Sequence, residues 1–252
     1  MPFRGNLVSS GSNSKIIKGD GPDWETGITH LMPDDELCPW SKRAKCQDPC
    51  LVSAGRGKFN TVQKARQRKS DLYHSDRDLF MELMYTDLIK FEAYCLRKSD
   101  KEGNEIKPAY RPNGTSDIPW ERVKVPSKNK TIIELFHDTN RIKLYDYTKT
   151  VNRVYKDPYP LTLSWSGADK FYEDKVMEAV DRVPNLNLAI VFRTREMLEK
   201  AMKSNSGLFG RSTIDGDKSD LRFLDPVGVN VGLVAKGKAK TDTSGFVYDY
   251  TH

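Results

Sequence analysis

From residue 107 onward, short apolar runs alternate with longer stretches of helical spacing, and this alternation limits the possible folds more than any other feature. A short strand is expected to end at Arg111, followed by Asn113, Ser116 and Asp117. A helix is expected over 131–137 and a strand over 142–145, ending in Asp146, Tyr147 and Lys149. The next strand, 160–163, ends in Ser164, Trp165 and Ser166. A helix over 169–183, a strand over 186–192 ending in Arg193, and a helix to about residue 203 complete the series. Strands separated by helices pair in parallel, because a parallel pair needs a crossover connection. The fold class is therefore α/β.

The flanks read differently. Residues 1–13 are polar and Gly/Ser-rich, a flexible lead-in to a single domain over 14–252. Short strands are expected near 15–18 and 27–32, and a basic helix over 60–69. A long helix follows Ser75, which with Asp78 makes a capping-box pattern. Phe80, Met84, Leu88, Phe91 and Cys95 recur on its apolar stripe, so Cys95 reads as a buried core thiol. Residues 208–252 hold β-like runs at 221–224, 229–235 and 246–250, expected as a β-rich segment closing over the sheet.

No apolar stretch approaches the roughly 18 residues of a membrane helix, and the first residues lack a signal-peptide core. A cytoplasmic location is expected. There, four cysteines argue for metal-binding or buried thiols rather than disulfides. Cys38, Cys46 and Cys50 stand within one short loop that also carries Pro39 and Pro49. Thiolates are soft ligands suited to an iron–sulfur cluster or zinc. Three of them leave one position free: on a four-iron cluster for substrate or S-adenosylmethionine, on zinc for water or a residue such as His30. Three unligated structural thiols are the plainer reading.

The net charge of +6 is concentrated here. Nine basic residues and one acidic residue, Asp48, lie between Cys38 and Ser70. Local positive charge attracts polyanions, so Arg56, Lys58, Lys64, Arg66, Arg68 and Lys69 are candidate DNA or RNA contacts. A solvated surface helix would look the same.

Ligands of parallel α/β folds sit at the carboxyl ends of strands. Lys149, Asp146 and Asp117 are the candidates for moving a proton. Arg111 and Arg193 suit an anionic group, and Asn113, Ser164 and Trp165 would line the same pocket. Turn formation alone accounts for Asn113 and Ser166. The acidic loop Asp215, Asp217, Asp220 and Asp225 could hold a cation, but pairing with Arg222 and Lys218 explains it more simply.

Several ordered strings resemble one known family. They are Cys38-Pro39, Cys46 and Cys50 followed by Leu51, Gly55-Arg56 with the basic helix, Asn113 to Asp117 with Trp120, and Tyr145 to Lys149. Asp215-Gly216-Asp217, Asp220 to Phe223, and 233–237 complete the set. Together they resemble the phage family named after mycobacteriophage gene product 88, across about 15–247. That resemblance implies a phage or mobile-element origin rather than a reaction. A looser similarity is to radical S-adenosylmethionine enzymes, which carry an early cysteine loop followed by a partial α/β barrel. This chain differs from them in cysteine spacing and has no Gly-Gly-Glu after the next strand. The expectation is a parallel, partial (β/α) barrel-like sheet carrying an iron–sulfur enzyme that acts on a nucleic acid or nucleotide-like anion. The alternative is a non-enzymatic nucleic-acid-binding or host-inhibitor protein with a structural zinc.

Overall fold

A computed structural model describes residues 3, 5–10 and 23–249. The strands are β1 (Val8–Ser10), β2 (Trp24–Thr29), β3 (Lys107–Arg111), β4 (Lys124–Val125), β5 (Lys130–Thr131), β6 (Lys143–Leu144), β7 (Asp146–Thr148), β8 (Leu161–Ser164), β9 (Asn187–Phe192), β10 (Thr213–Asp215) and β11 (Asn230–Val234). The α-helices are α1 (Ser41–Ala44), α2 (Asn60–Ser75), α3 (Arg77–Glu102), α4 (Val151–Val154), α5 (Lys170–Arg182) and α6 (Arg195–Lys203). No helix among the described residues is long and apolar enough to cross a membrane.

The expected parallel arrangement is present. β2, β3 and β6 pair in parallel, with β1 antiparallel at the edge. A second sheet, ordered β10-β11-β9-β8-β7, is parallel throughout. The two sheets meet at Tyr145. Its N–H donates to Tyr110 O at 3.1 Å, while the N–H of Asp146 donates to Pro160 O at 3.0 Å. One extended run, 143–148, thus passes from the first sheet to the second. This corrects the expected strand at 142–145: Asp146 opens β7 and does not lie beyond a strand end.

Other boundaries move for local reasons. The 15–18 strand lies outside the described residues. Part of the expected lead-in, Val8–Ser10, is β1, with Leu7 N–H held by Asp87 Oδ2 at 2.6 Å. The strand at 27–32 is Trp24–Thr29. The basic helix runs on through Ser75, so Ser75 cannot cap the next one. Asp76 does, its carboxylate accepting Leu79 N–H at 3.0 Å. The helix at 131–137 is a single π-turn, Ile133–His137, after the β4–β5 hairpin. The C-terminal part divides, with residues 245–248 lying against the ends of β8 and β9. β10 and β11 enter the second sheet as parallel strands, 222–224 is a 3-10 turn, and Tyr248 makes one bridge to Phe192. A Cβ at Gly232 would run into Leu198, so α6 packs closely on β11 only because that side chain is absent.

The helices cover one side of the sheets. α3 places Phe80, Met84, Leu88 and Phe91 against Tyr110, Trp120 and Phe136, and Cys95 is 1% exposed in that cluster, as its stripe predicts. α5, capped by Asp169, buries Tyr172, Val176, Ala179 and Val180 on Leu163, Leu188 and Ile190. Full burial of each such side chain is worth about 1.5–3 kcal/mol. A smaller cluster joins Ala109 and Tyr145 to Leu221, with Trp24 and Phe223 beside it.

Candidate functional site

The cysteine loop begins where β2 ends. Asp34 organises its entry: Oδ1 accepts Leu37 N–H at 2.9 Å, and its carbonyl accepts Cys38 N–H at 2.9 Å. Leu37 O then accepts Asp117 N–H at 2.7 Å, which ties the loop to the segment after β3. α1 ends at Lys45, in the left-handed region at φ 51°, and this turn brings Cys46 back over Ser41. Ser166 Oγ donates to Ala44 O at 2.8 Å, anchoring the loop to the end of β8. Cys50 leads into two 3-10 turns, Leu51–Ser53 and Gly55–Lys58. Gly237, at φ +57°, packs its backbone against Ser53 and Ala54, where a Cβ would come within 3.1 Å of Ala54 Cα.

Cys38, Cys46 and Cys50 are all half-buried. Burial pushes the Cys38 and Cys46 thiols upward, and the neighbouring cysteines and Asp117 add to the rise. Lys149 opposes it at both. Burial acts to neutralise the Lys149 ammonium, yet Cys46, Asp117, Cys38 and Cys50 together hold its pKa above the ordinary value. Three thiols and one lysine therefore share a neighbourhood, drawn from the loop after β2 and the residue after β7. Each thiolate formed there needs a cation or a metal to offset it. The donors are soft and suit a thiolate-held centre. Among the described residues, no three His, Cys, Asp or Glu side chains stand grouped around one ion position.

The segment holding Lys149 is fixed from beneath. Asp117 accepts hydrogen bonds from Thr148 Oγ1 (2.7 Å), Lys149 N–H (2.9 Å), Thr150 Oγ1 (3.1 Å) and Arg153 Nη1 (3.0 Å). Arg153, 2% exposed, also forks onto Glu121 through Nε and Nη2, both at 3.0 Å. Asn113 is equally engaged. Its Oδ1 accepts from Ser116 Oγ, Ile118 N–H and Trp120 Nε1, and its Nδ2 donates to Ile118 O and Asp146 Oδ2. Asn113 and Asp117 thus form a buried knot that positions Lys149.

Asp146 is fully buried, and burial pushes its carboxyl up to about 7 against the pull of Arg111, Arg153 and Asn113. In that window the folded chain keeps a proton that the unfolded chain, with its usual 3.8, has released. Stability is therefore expected to fall as pH rises from about 4 to about 7. Urea midpoints at about pH 5 and about pH 8 check this. Asp146→Asn should remove that part of the decline, and an unchanged decline would assign it to other groups.

The remaining expected pocket residues spread out. Arg111 pairs with Asp220 at 3.3 Å and lies over the Tyr147 ring at 4.5 Å, on the sheet face opposite the helices. Ser164 is buried, its carbonyl accepting Tyr172 O–H at 2.6 Å. Trp165 turns to the helix side, packed against Phe209 and Tyr248. Arg193 forks onto Asp249 and reaches the carbonyls of Ala239 and Lys240. The acidic loop is paired, in part as expected: Asp225 faces Arg222, while Asp215 and Asp217 face Arg195 and Asp217 also holds Lys236.

Of the basic candidates, Arg56, Lys58, Lys64 and Arg68 are exposed. Arg66 is buried on the inner face of α2, and Lys69 Nζ is turned inward to Leu7 O at 3.0 Å. Sequence reasoning missed Lys238 and Lys240, both exposed, on the turn whose Lys238 N–H reaches Ser53 Oγ. It also missed Arg153, which no local pattern marks. No curated protein and no solved structure matches this chain. A family model described as Gene product 88 matches residues 6–250. With the model covering almost every residue from β1 through β11, the chain belongs to the Gene product 88 family of phage gene products.

Proposed function

We propose that this phage protein is an iron–sulfur enzyme, with Cys38, Cys46 and Cys50 holding the cluster and a nucleic acid or nucleotide-like anion as substrate. The observation that carries the reading is the shared neighbourhood of the three thiols with Lys149, at the carboxyl end of parallel strands. β2, β3, β6/β7, β8 and β9 lie side by side in chain order, which supports a partial-barrel arrangement around that end. A cluster with three thiolate ligands would leave one iron open to substrate or S-adenosylmethionine and supply an electron there. The chain's own residues do the rest. Lys149 offsets the thiolate charge and can hold a proton at Nζ. Arg111 presents a fixed cation for an anionic group. Protein purified without oxygen should be brown and contain iron and sulfide; colourless protein holding one zinc would sink the cluster.

A second reading, a nucleic-acid-binding protein with a structural zinc, is favoured by one observation. Arg56 and Lys58 are exposed on the turns beside Ser53, and Lys238 and Lys240 join them from the far end of the chain. Oligonucleotide binding through this surface should weaken by about 10³-fold or more between roughly 50 and 200 mM salt if six or more phosphates are contacted. Flat salt dependence in a fluorescence titration would remove the surface from both readings.

A further inference from the structure

Arg66 has no use in the fold that its surroundings explain. It is 9% exposed, yet its Nε and Nη1 have no hydrogen-bond partner. Burial lowers its pKa, and a thiolate at Cys50 would oppose that. A buried guanidinium without a carboxylate is costly and rare.

Its position is well defined. One turn further along α2, Ser70 Oγ accepts Met32 N–H at 2.9 Å and donates to Met32 O at 3.0 Å. This pins the inner face of α2 to the chain just beyond β2. Arg66, four residues earlier on that face, points back toward the helix start, and its charge acts on His30. Its Nη1 would lie 3.2 Å from a Cβ at Gly57, so the turn after Cys50 closes over it. His30 Nδ1 is buried and unpartnered as well, and Arg111 Nε makes no hydrogen bond, its ion pair with Asp146 Oδ1 spanning 3.8 Å. Arg111 lies opposite Ile28 in the β2–β3 register, which puts it on the same sheet face as His30, two residues on. A Cβ at Gly114 would collide with His30 Nδ1, so a glycine there leaves the imidazole its place. Burial and the cations Arg66, Arg111 and Lys69 hold His30 neutral, with a pKa near 3. The charges of Arg66, Arg111 and Lys69 thus all act on one neutral ring, with Asp220 opposing them, and Arg111 itself is paired with Asp220 at 3.3 Å and Asp146 at 3.8 Å.

We propose that Arg66, His30 and Arg111 form a seat for one oxyanion group, a phosphate or a carboxylate, beside Cys50. The seat deepens the anionic-substrate half of the function proposed above and needs no metal. A bound oxyanion would supply an acceptor for an orphaned Arg66 N–H, would add one near Arg111 Nε, and would favour a proton on His30 Nδ1.

The test is calorimetric titration of the chain as purified, its metal content recorded, with inorganic phosphate, pyrophosphate and malonate. Wild type should bind at least one of them. Preference for phosphate or pyrophosphate over malonate identifies a phosphate group, and the reverse a carboxylate. Arg66→Gln should weaken binding at least tenfold, while Lys90→Gln, on the exposed face of α3, should not. Equal binding by wild type and Arg66→Gln, or no binding of any probe by wild type, overturns the seat. If Arg66→Gln does not fold, Arg66→Lys keeps the charge and loses the fork; unchanged affinity in that variant overturns the proposal equally. Colourless protein that binds phosphate would reject the cluster and keep the seat. Brown protein that binds none of the anions would do the reverse.

Discussion

Cys46→Ala is expected to abolish metal binding, taking iron and visible absorption to baseline. Cys46 is the middle ligand of the proposed centre. It packs on both the Ala44–Trp165 cluster and the Ala235–Phe246 cluster, so its sulfur is held from two sides. Without it, Cys38 and Cys50 remain, and two thiolates do not retain a cluster that ordinarily has three or four protein ligands. The loss should be all-or-none, because metal and loop order are linked. Cys95→Ala supplies the contrast. That thiol sits 1% exposed among Met84, Leu88 and Ile106, so its removal should lower stability and leave the metal content intact. Elemental analysis and absorption on oxygen-free protein read both variants. Full metal occupancy in Cys46→Ala would exclude that residue from the site.

The central place of Lys149 in the site was only half visible in the sequence. Its place after a strand could be read from the period-two run that precedes it, because strand and helix spacings differ along the chain. What surrounds it could not. The thiols come from a loop about a hundred residues earlier, and the parallel crossovers that join them leave no local mark. The same holds for β10 and β11. The residues of β11 read as strand and those of β10 did not, and the partners of both were set by chain returning from α6, so an outer cap was expected where sheet was found. Tyr145 shows the finer limit. No composition or spacing distinguishes a strand that ends from one that changes sheets.

Arg66 is a different case, because a signal was present. Arg66, Ser70 and Tyr73 recur at helical spacing and are the buried residues of α2. Counting Arg66 with its basic neighbours hid that it lies on the inward face. Arg56, Lys58, Lys64 and Arg68 fall on exposed positions, as a polyanion-facing surface requires. Arg153 gave no such hint. It follows a short polar segment, and its three acidic and phenolic partners are drawn from both sides of it in the chain.

Arg153→Met should cost more stability than any other single change near the site. Its guanidinium satisfies Asp117 at 3.0 Å, both oxygens of Glu121 at 3.0 Å and the Tyr159 hydroxyl at 2.8 Å. Methionine fills most of the volume but leaves Asp117 and Glu121 without the cation that bridges them. Removing one partner of a buried ion pair typically costs about 3–5 kcal/mol, a large share of the total stability of a domain. The loss should appear as a lower urea midpoint with an unchanged slope, the mark of altered stability rather than altered compactness. It should also reach the site, since Asp117 fixes Thr148, Lys149 and Thr150 together. Adding Asp117→Asn and Glu121→Gln to Arg153→Met should recover part of the loss, because neutral amides no longer need the cation. A loss below about 1 kcal/mol, the size of an exposed pair, would mean that the network is solvated and does not hold Lys149 in place.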